Sequence, residues 1–139
     1  MARILIILIW AIGFINSAKA DTTDFWHVYY NNTKIKEFDL HSKGEIITLK
    51  IKDIKPKDFL TIKYFHDALC LDCETKVEIK NSRKVIVAKG KGVGTFKPIK
   101  VSVSDLVLKA DRNEYAVYYY EKLTDKTIIK TLLFKIRLE

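Results

Sequence analysis

The sequence predicts an all-β domain, a two-layer antiparallel sandwich of immunoglobulin-like or jelly-roll type with about eight strands. Three observations predict it. Apolar and polar residues alternate with a period of two through most of the chain after residue 20. Short turn signals separate the alternating runs. No later segment carries the long 3.6-residue periodicity of an amphipathic helix, which sets aside a parallel α/β sheet. With two Pro and five Gly in 139 residues there is no linker-like tract, so one domain over residues 21–139 is expected.

The first 20 residues stand apart. Arg3 supplies a positive start, Ile4 to Ile15 is an almost unbroken apolar run, and Ala18-Lys19-Ala20 places small residues before Asp21. This layout predicts a cleaved secretory signal peptide over 1–20, with an apolar run too short to span a bilayer. The protein is then exported, periplasmic or secreted, with no transmembrane segment after cleavage.

The strands follow in order. Phe25 to Tyr30 is aromatic and β-branched, and Asn31-Asn32 turns into the alternating Thr33–Phe38. Asn31-Asn32-Thr33 also has the spacing of a glycosylation acceptor. Glu45 to Lys52 places Ile47, Leu49 and Ile51 on one face, and the segment around Pro56 turns into a strand over Phe59–Phe65. Thr75 to Lys80 and Lys84 to Lys89 alternate around the short connection Asn81-Ser82-Arg83. Gly90 to Gly94, "GKGVG", reads as a turn or bulge; no Lys-Ser/Thr pair or helix follows it, as a phosphate loop requires. Phe96 to Val103 is a strand with Pro98 near an edge, and Ser104-Asp105 caps a short helical turn. Tyr115–Glu121 and Thr127–Leu138 close the chain, the last with Leu132, Phe134, Ile136 and Leu138 on one face.

The formal charge is +8, and only Arg3, Arg83, Arg112 and Arg137 among the 25 basic residues are Arg. Phosphate recognition favours the bidentate Arg fork, whereas Lys blunts sheet edges, so nucleic acid is not an expected partner.

The chemistry concentrates in His66-Asp-Ala-Leu-Cys-Leu-Asp-Cys-Glu74, which holds both cysteines. In an exported protein a lone nearby pair is expected to be oxidised, so Cys70–Cys73 reads as a disulfide stiffening a loop between strands. The alternative is a metal or thiol-redox site using His66, Cys70 and Cys73. Against redox catalysis, a strand pattern follows Cys73, and the acidic Asp67, Asp72 and Glu74 disfavour a thiolate. Against structural zinc, no second Cys or His pair accompanies the first. Glu74 stands where a covalent haem site requires His.

His27 is expected to be a half-exposed sheet residue and His41 a solvated turn residue. No nucleophile elbow is present. If Tyr115, Val117 and Tyr119 face the core, Tyr118 and Tyr120 share the outer face and form a candidate aromatic platform. The sequence thus predicts a non-catalytic binding module without a cofactor, for a protein or glycan of the cell envelope or exterior. Its candidate contacts are His66, Asp67, Tyr118 and Tyr120.

Overall fold

The computed structural model describes residues 24–109, 114–123 and 125–139. The expected signal peptide lies outside the described residues. Among the described residues there are nine strands: β1 (Phe25–Tyr30), β2 (Thr33–Asp39), β3 (Ile46–Leu49), β4 (Phe59–Phe65), β5 (Glu74–Lys80), β6 (Ile86–Val93), β7 (Ile99–Ser102), β8 (Glu114–Lys122) and β9 (Ile128–Leu138). One short helix, α1 (Ser104–Leu108), follows β7, and a 3-10 turn spans Ile51–Asp53. Among the described residues no helix is long and apolar enough to cross a membrane.

The strands form two sheets, in the orders β2-β1-β4-β7 and β3-β9-β8-β5-β6. Every pairing is antiparallel except β3–β9, which is parallel. The chain passes from one sheet to the other between β4 and β5, and the β8–β9 hairpin packs beside β5. The neighbours β1-β4-β7 and β9-β8-β5 follow the A-B-E and G-F-C order of an immunoglobulin-like sandwich, with β2, β3 and β6 as further strands.

Alternation builds the core. Trp26, Val28, Leu60, Ile62 and Tyr64 point inward from the first sheet, and Val77, Ile79, Tyr115, Val117 and Tyr119 from the second. Phe38 stacks on Phe134 across the gap with ring centroids 5.3 Å apart, and Trp26 stacks on Phe38 at 5.6 Å. Each such side chain contributes about 1.5–3 kcal/mol by leaving water.

Four local expectations are corrected. The third strand stops at Leu49, and Ile51 enters the 3-10 turn, exposed. Its tail is redirected by the chain terminus: the Ile51 amide donates to the Glu139 carbonyl at 2.6 Å. Of the GKGVG glycines only Gly94 turns the chain, at φ +81°; β6 runs through Gly90 and Gly92 to Val93. Gly90 lies where β7 passes so close that a Cβ would overlap the Lys100 carbonyl oxygen. The strand expected from Phe96 is regular only from Ile99, after Pro98 and a positive φ of 58° at Phe96. On β9 the register shifts opposite Val117/Tyr118, so that Leu133 and Phe134 are both buried and Leu132 is turned out.

Candidate functional site

Three inward rows of side chains run out at one end of the sandwich. On β4 the row Leu60, Ile62, Tyr64 continues past the strand to His66. On β5 the row Ile79, Val77, Thr75 continues back to Cys73, and on β8 the row Tyr115, Val117, Tyr119 ends at Glu121. The pairing Thr75↔Glu121 brings two of these ends side by side. The result is a buried polar cluster: Glu121 is 0% exposed, Cys73 4% and His66 7%.

Cys70 and Cys73 are joined by a disulfide, with Cα atoms 5.7 Å apart. The loop they close is docked on the turn after β6. The Cys70 amide donates to Thr95 Oγ1 at 3.0 Å, the Thr95 amide to the Cys70 carbonyl at 2.8 Å, and the Gly94 amide to the Cys73 carbonyl at 2.9 Å. Gly94 holds φ at +81°, and a Cβ there would crowd the Leu71 carbonyl. Both ends of the loop are therefore held by backbone bonds as well as by sulfur.

Against this disulfide sits Glu121. A carboxylate oxygen of Glu121 and the two sulfurs lie within 4.8 Å of one another. Oε2 of Glu121 accepts from the Tyr119 hydroxyl at 2.7 Å and is 2.9 Å from His66 Nε2. Oε1 is buried with no hydrogen-bond partner among the described residues. Burial, and then the bond to Glu121, holds the Tyr119 hydroxyl well above the usual tyrosine range, so it remains a donor at ordinary pH. The neighbouring Tyr64 ring packs on Tyr119 with centroids 4.5 Å apart, and burial likewise raises its hydroxyl.

The outside of this end is different in character. Leu69 and Leu71, flanking Cys70, are 63% and 80% exposed, while Cys70 itself is half-buried. Val93 and Ile128 are also exposed. They lie in an open groove of about 580 Å³ lined by Lys76, Lys91, Gly92, Tyr120 and Lys122 as well.

The structure brings three of the sequence candidates together, His66, Cys70 and Cys73, and adds Glu121 and Tyr119 to them. Asp67 is exposed at the start of the loop. Tyr118 and Tyr120 share the outer face of the second sheet, away from the disulfide. Their rings lie under lysine ammonium groups, Lys130 4.6 Å from the Tyr118 centroid and Lys76 4.5 Å from that of Tyr120. The Tyr120 hydroxyl accepts from Lys80 at 2.8 Å. His27 is half-buried, 3.2 Å from Glu37, and His41 is exposed. Asn31, in the glycosylation-like triplet, has its side-chain amide bonded to Asp58 at 3.1 Å.

No protein-family model matches the chain, and no curated protein sequence matches it. Among solved structures it is similar to CopC from Methylosinus trichosporium OB3b. The TM-score is 0.41 at 13% identity, over 71% of this chain and 88% of that one. Nothing about the cysteine end is carried over from that likeness.

Proposed function

We propose that this protein is an exported thiol–disulfide exchange module, whose Cys70–Cys73 pair passes two electrons to and from a partner protein. The observation that carries the reading is the buried Glu121 carboxyl: a carboxylate oxygen lies within 4.8 Å of both sulfurs, and Oε1 has no hydrogen-bond partner among the described residues. A disulfide offers no proton to that oxygen. Leaving a buried acceptor unmatched costs about 1–3 kcal/mol. Reduction turns each sulfur into an S–H donor within 4.8 Å of a Glu121 carboxylate oxygen, so Glu121 favours the dithiol over the disulfide. A purely structural staple gains nothing from such a neighbour.

The step balances with a partner dithiol as the co-reactant. The partner's first thiolate attacks Cys70 Sγ, the half-buried sulfur, and the Cys70–Cys73 bond breaks. Cys73 leaves as a thiolate beside the Glu121 carboxyl and takes up a proton from solvent, one of the two the partner's thiols released. The partner's second thiolate then attacks the mixed disulfide, forms the partner's own disulfide and releases Cys70 as a thiol. Two electrons and two protons have moved to this chain. The reverse sequence oxidises it, with Glu121 placed to take the Cys73 proton.

Leu69 and Leu71 flank the reacting sulfur with exposed apolar side chains, suited to a protein partner. The binding role read from the sequence thereby becomes the docking of that partner. The leader-like first 20 residues support an exported setting, where such exchange partners operate.

The test is a redox titration of the intact protein, with free thiols counted by alkylation and mass. The expected midpoint lies above about −300 mV, outside the range of structural disulfides. Glu121→Gln keeps the shape and replaces one carboxyl oxygen by an amide that cannot accept, and is expected to lower the midpoint by about 20–60 mV. A midpoint below about −300 mV that Glu121→Gln leaves in place would show a staple and end this reading.

A further inference from the structure

We infer that the reduced form of this same end is a Zn²⁺ site, with Cys70 Sγ, Cys73 Sγ and Glu121 Oε1 as its three protein ligands. The inference shares with the exchange reading only the folded dithiol, however that dithiol is reached. Its basis is a donor set that is already assembled. Two sulfurs and a carboxylate oxygen lie within 4.8 Å of one another, close enough for small side-chain shifts to bring all three onto one ion. The Cys-x-x-Cys spacing, with Cα atoms 5.7 Å apart, is the bite that clasps one tetrahedral ion in many zinc sites.

The second observation is independent of the cysteines. Oε2 of Glu121 is held by Tyr119 and His66, while Oε1 is buried and unmatched. That is how a ligating carboxylate is ordinarily prepared: one oxygen fixed by outer hydrogen bonds, the other left for the metal. Thiolate, thiolate and carboxylate suit a borderline cation such as Zn²⁺ better than a hard one such as Mg²⁺ or Ca²⁺. Three protein ligands leave one of four positions open. Cys70 is half-buried, so water or a partner's side chain can take that position. Binding displaces the two thiol protons into solvent, so charge and atoms balance without any oxidant.

The geometry also makes the two functions exclusive. The disulfide has no thiolate to offer, and a zinc-held dithiol is shielded from oxidation. Zinc therefore holds the chain in its reduced state.

The experiment uses the full exported chain, opened with a phosphine reductant that does not compete as a thiol and titrated with Zn²⁺ against a chromophoric chelator. One equivalent is expected to bind the reduced protein and none the oxidised. Glu121→Gln is expected to weaken binding at least tenfold, and Tyr119→Phe by a smaller factor, because it loosens the carboxylate without removing it. Co²⁺ in place of Zn²⁺ should give thiolate-to-metal charge-transfer absorption that Cys73→Ser abolishes. Absence of stoichiometric binding by the folded dithiol, or wild-type affinity in Glu121→Gln, overturns the inference and leaves exchange standing. If the disulfide opens only in denaturant, exchange falls. The same titration on the refolded dithiol then still decides the zinc site.

Discussion

The proposed exchange rests on a glutamate on the core face of a strand, Glu121. Tyr115, Val117 and Tyr119 were readable as the inward row of β8 from alternation alone, and two residues further the same parity lands on Glu121. The same count puts His66 and Cys73 inward. The cluster was therefore legible as parity, but not as proximity: nothing local says that the ends of β4, β5 and β8 meet. Acidic neighbours in the chain, Asp67, Asp72 and Glu74, argued against thiolate chemistry. The carboxyl that matters instead reaches the sulfurs from a strand nearly 50 residues on. Tyr119→Phe is expected to destabilise the protein by about 1–3 kcal/mol, the cost of leaving a buried acceptor without its donor, read as a lower urea midpoint at unchanged slope. Glu78 offers a separate test on the outer face. Burial alone would raise its carboxyl, but bonds from Lys76, Lys80 and Tyr120 win and hold it at about 2. A depressed folded value contributes stability above the ordinary carboxylate range and loses it as pH falls toward 2. The urea midpoint of the wild type should fall more steeply between pH 5 and pH 2 than that of Glu78→Gln. Parallel curves would show that those bonds do not act.

At the scale of elements, the glycines of β6 show where local signals mislead. "GKGVG" carries turn chemistry, yet Gly90 and Gly92 sit inside a strand because β7 of the other sheet leans on them. Glycine marks both a turn and a close approach, and only the partner's position separates the two. A Cβ at Gly90 would overlap a backbone carbonyl, which cannot move without β7. At Gly92 it would meet Ile99 Cγ1 at 2.8 Å and Thr75 Oγ1 at 2.9 Å, side-chain atoms that can rotate away. Gly90→Ala is thus expected to cost more than Gly92→Ala, with about 1–3 kcal/mol or above for the first, measured by paired urea unfolding. Equal costs would mean that the sheets separate more easily than this packing implies. The bulge at Leu133 belongs to the same class. Strict alternation over Thr127–Leu138 predicted one apolar face, and a single extra residue exchanged Leu132 for Leu133 in the core. The strands themselves, and the sandwich class, were legible because most of each strand buries only one side, and alternation records that directly.

For the whole molecule, the decisive question is whether the fold needs its disulfide. A redox centre must open and close without unfolding its scaffold. The ring closed by Cys70 and Cys73 spans three positions in sequence, so the bond restricts the unfolded chain little, and chain entropy gives it roughly 2 kcal/mol at most. A domain of this size ordinarily has about 5–15 kcal/mol of stability. The main core, from the Trp26–Phe38–Phe134 stack to Ile62, Val77 and Val117, is held by side chains that do not touch sulfur chemistry. The cysteine loop is also pinned independently by the Thr95 and Gly94 backbone bonds. Reduction further gives Glu121 Oε1 the donors it lacks, which offsets part of the lost constraint. The dithiol is therefore expected to stay folded, with an unchanged strand spectrum in circular dichroism and a melting point lowered by less than about 10 °C. Cys70→Ser/Cys73→Ser should behave alike. A chain that loses its near-ultraviolet signal on mild reduction would be one whose sulfur bond holds the sandwich together, and such a bond could not serve as a cycling carrier.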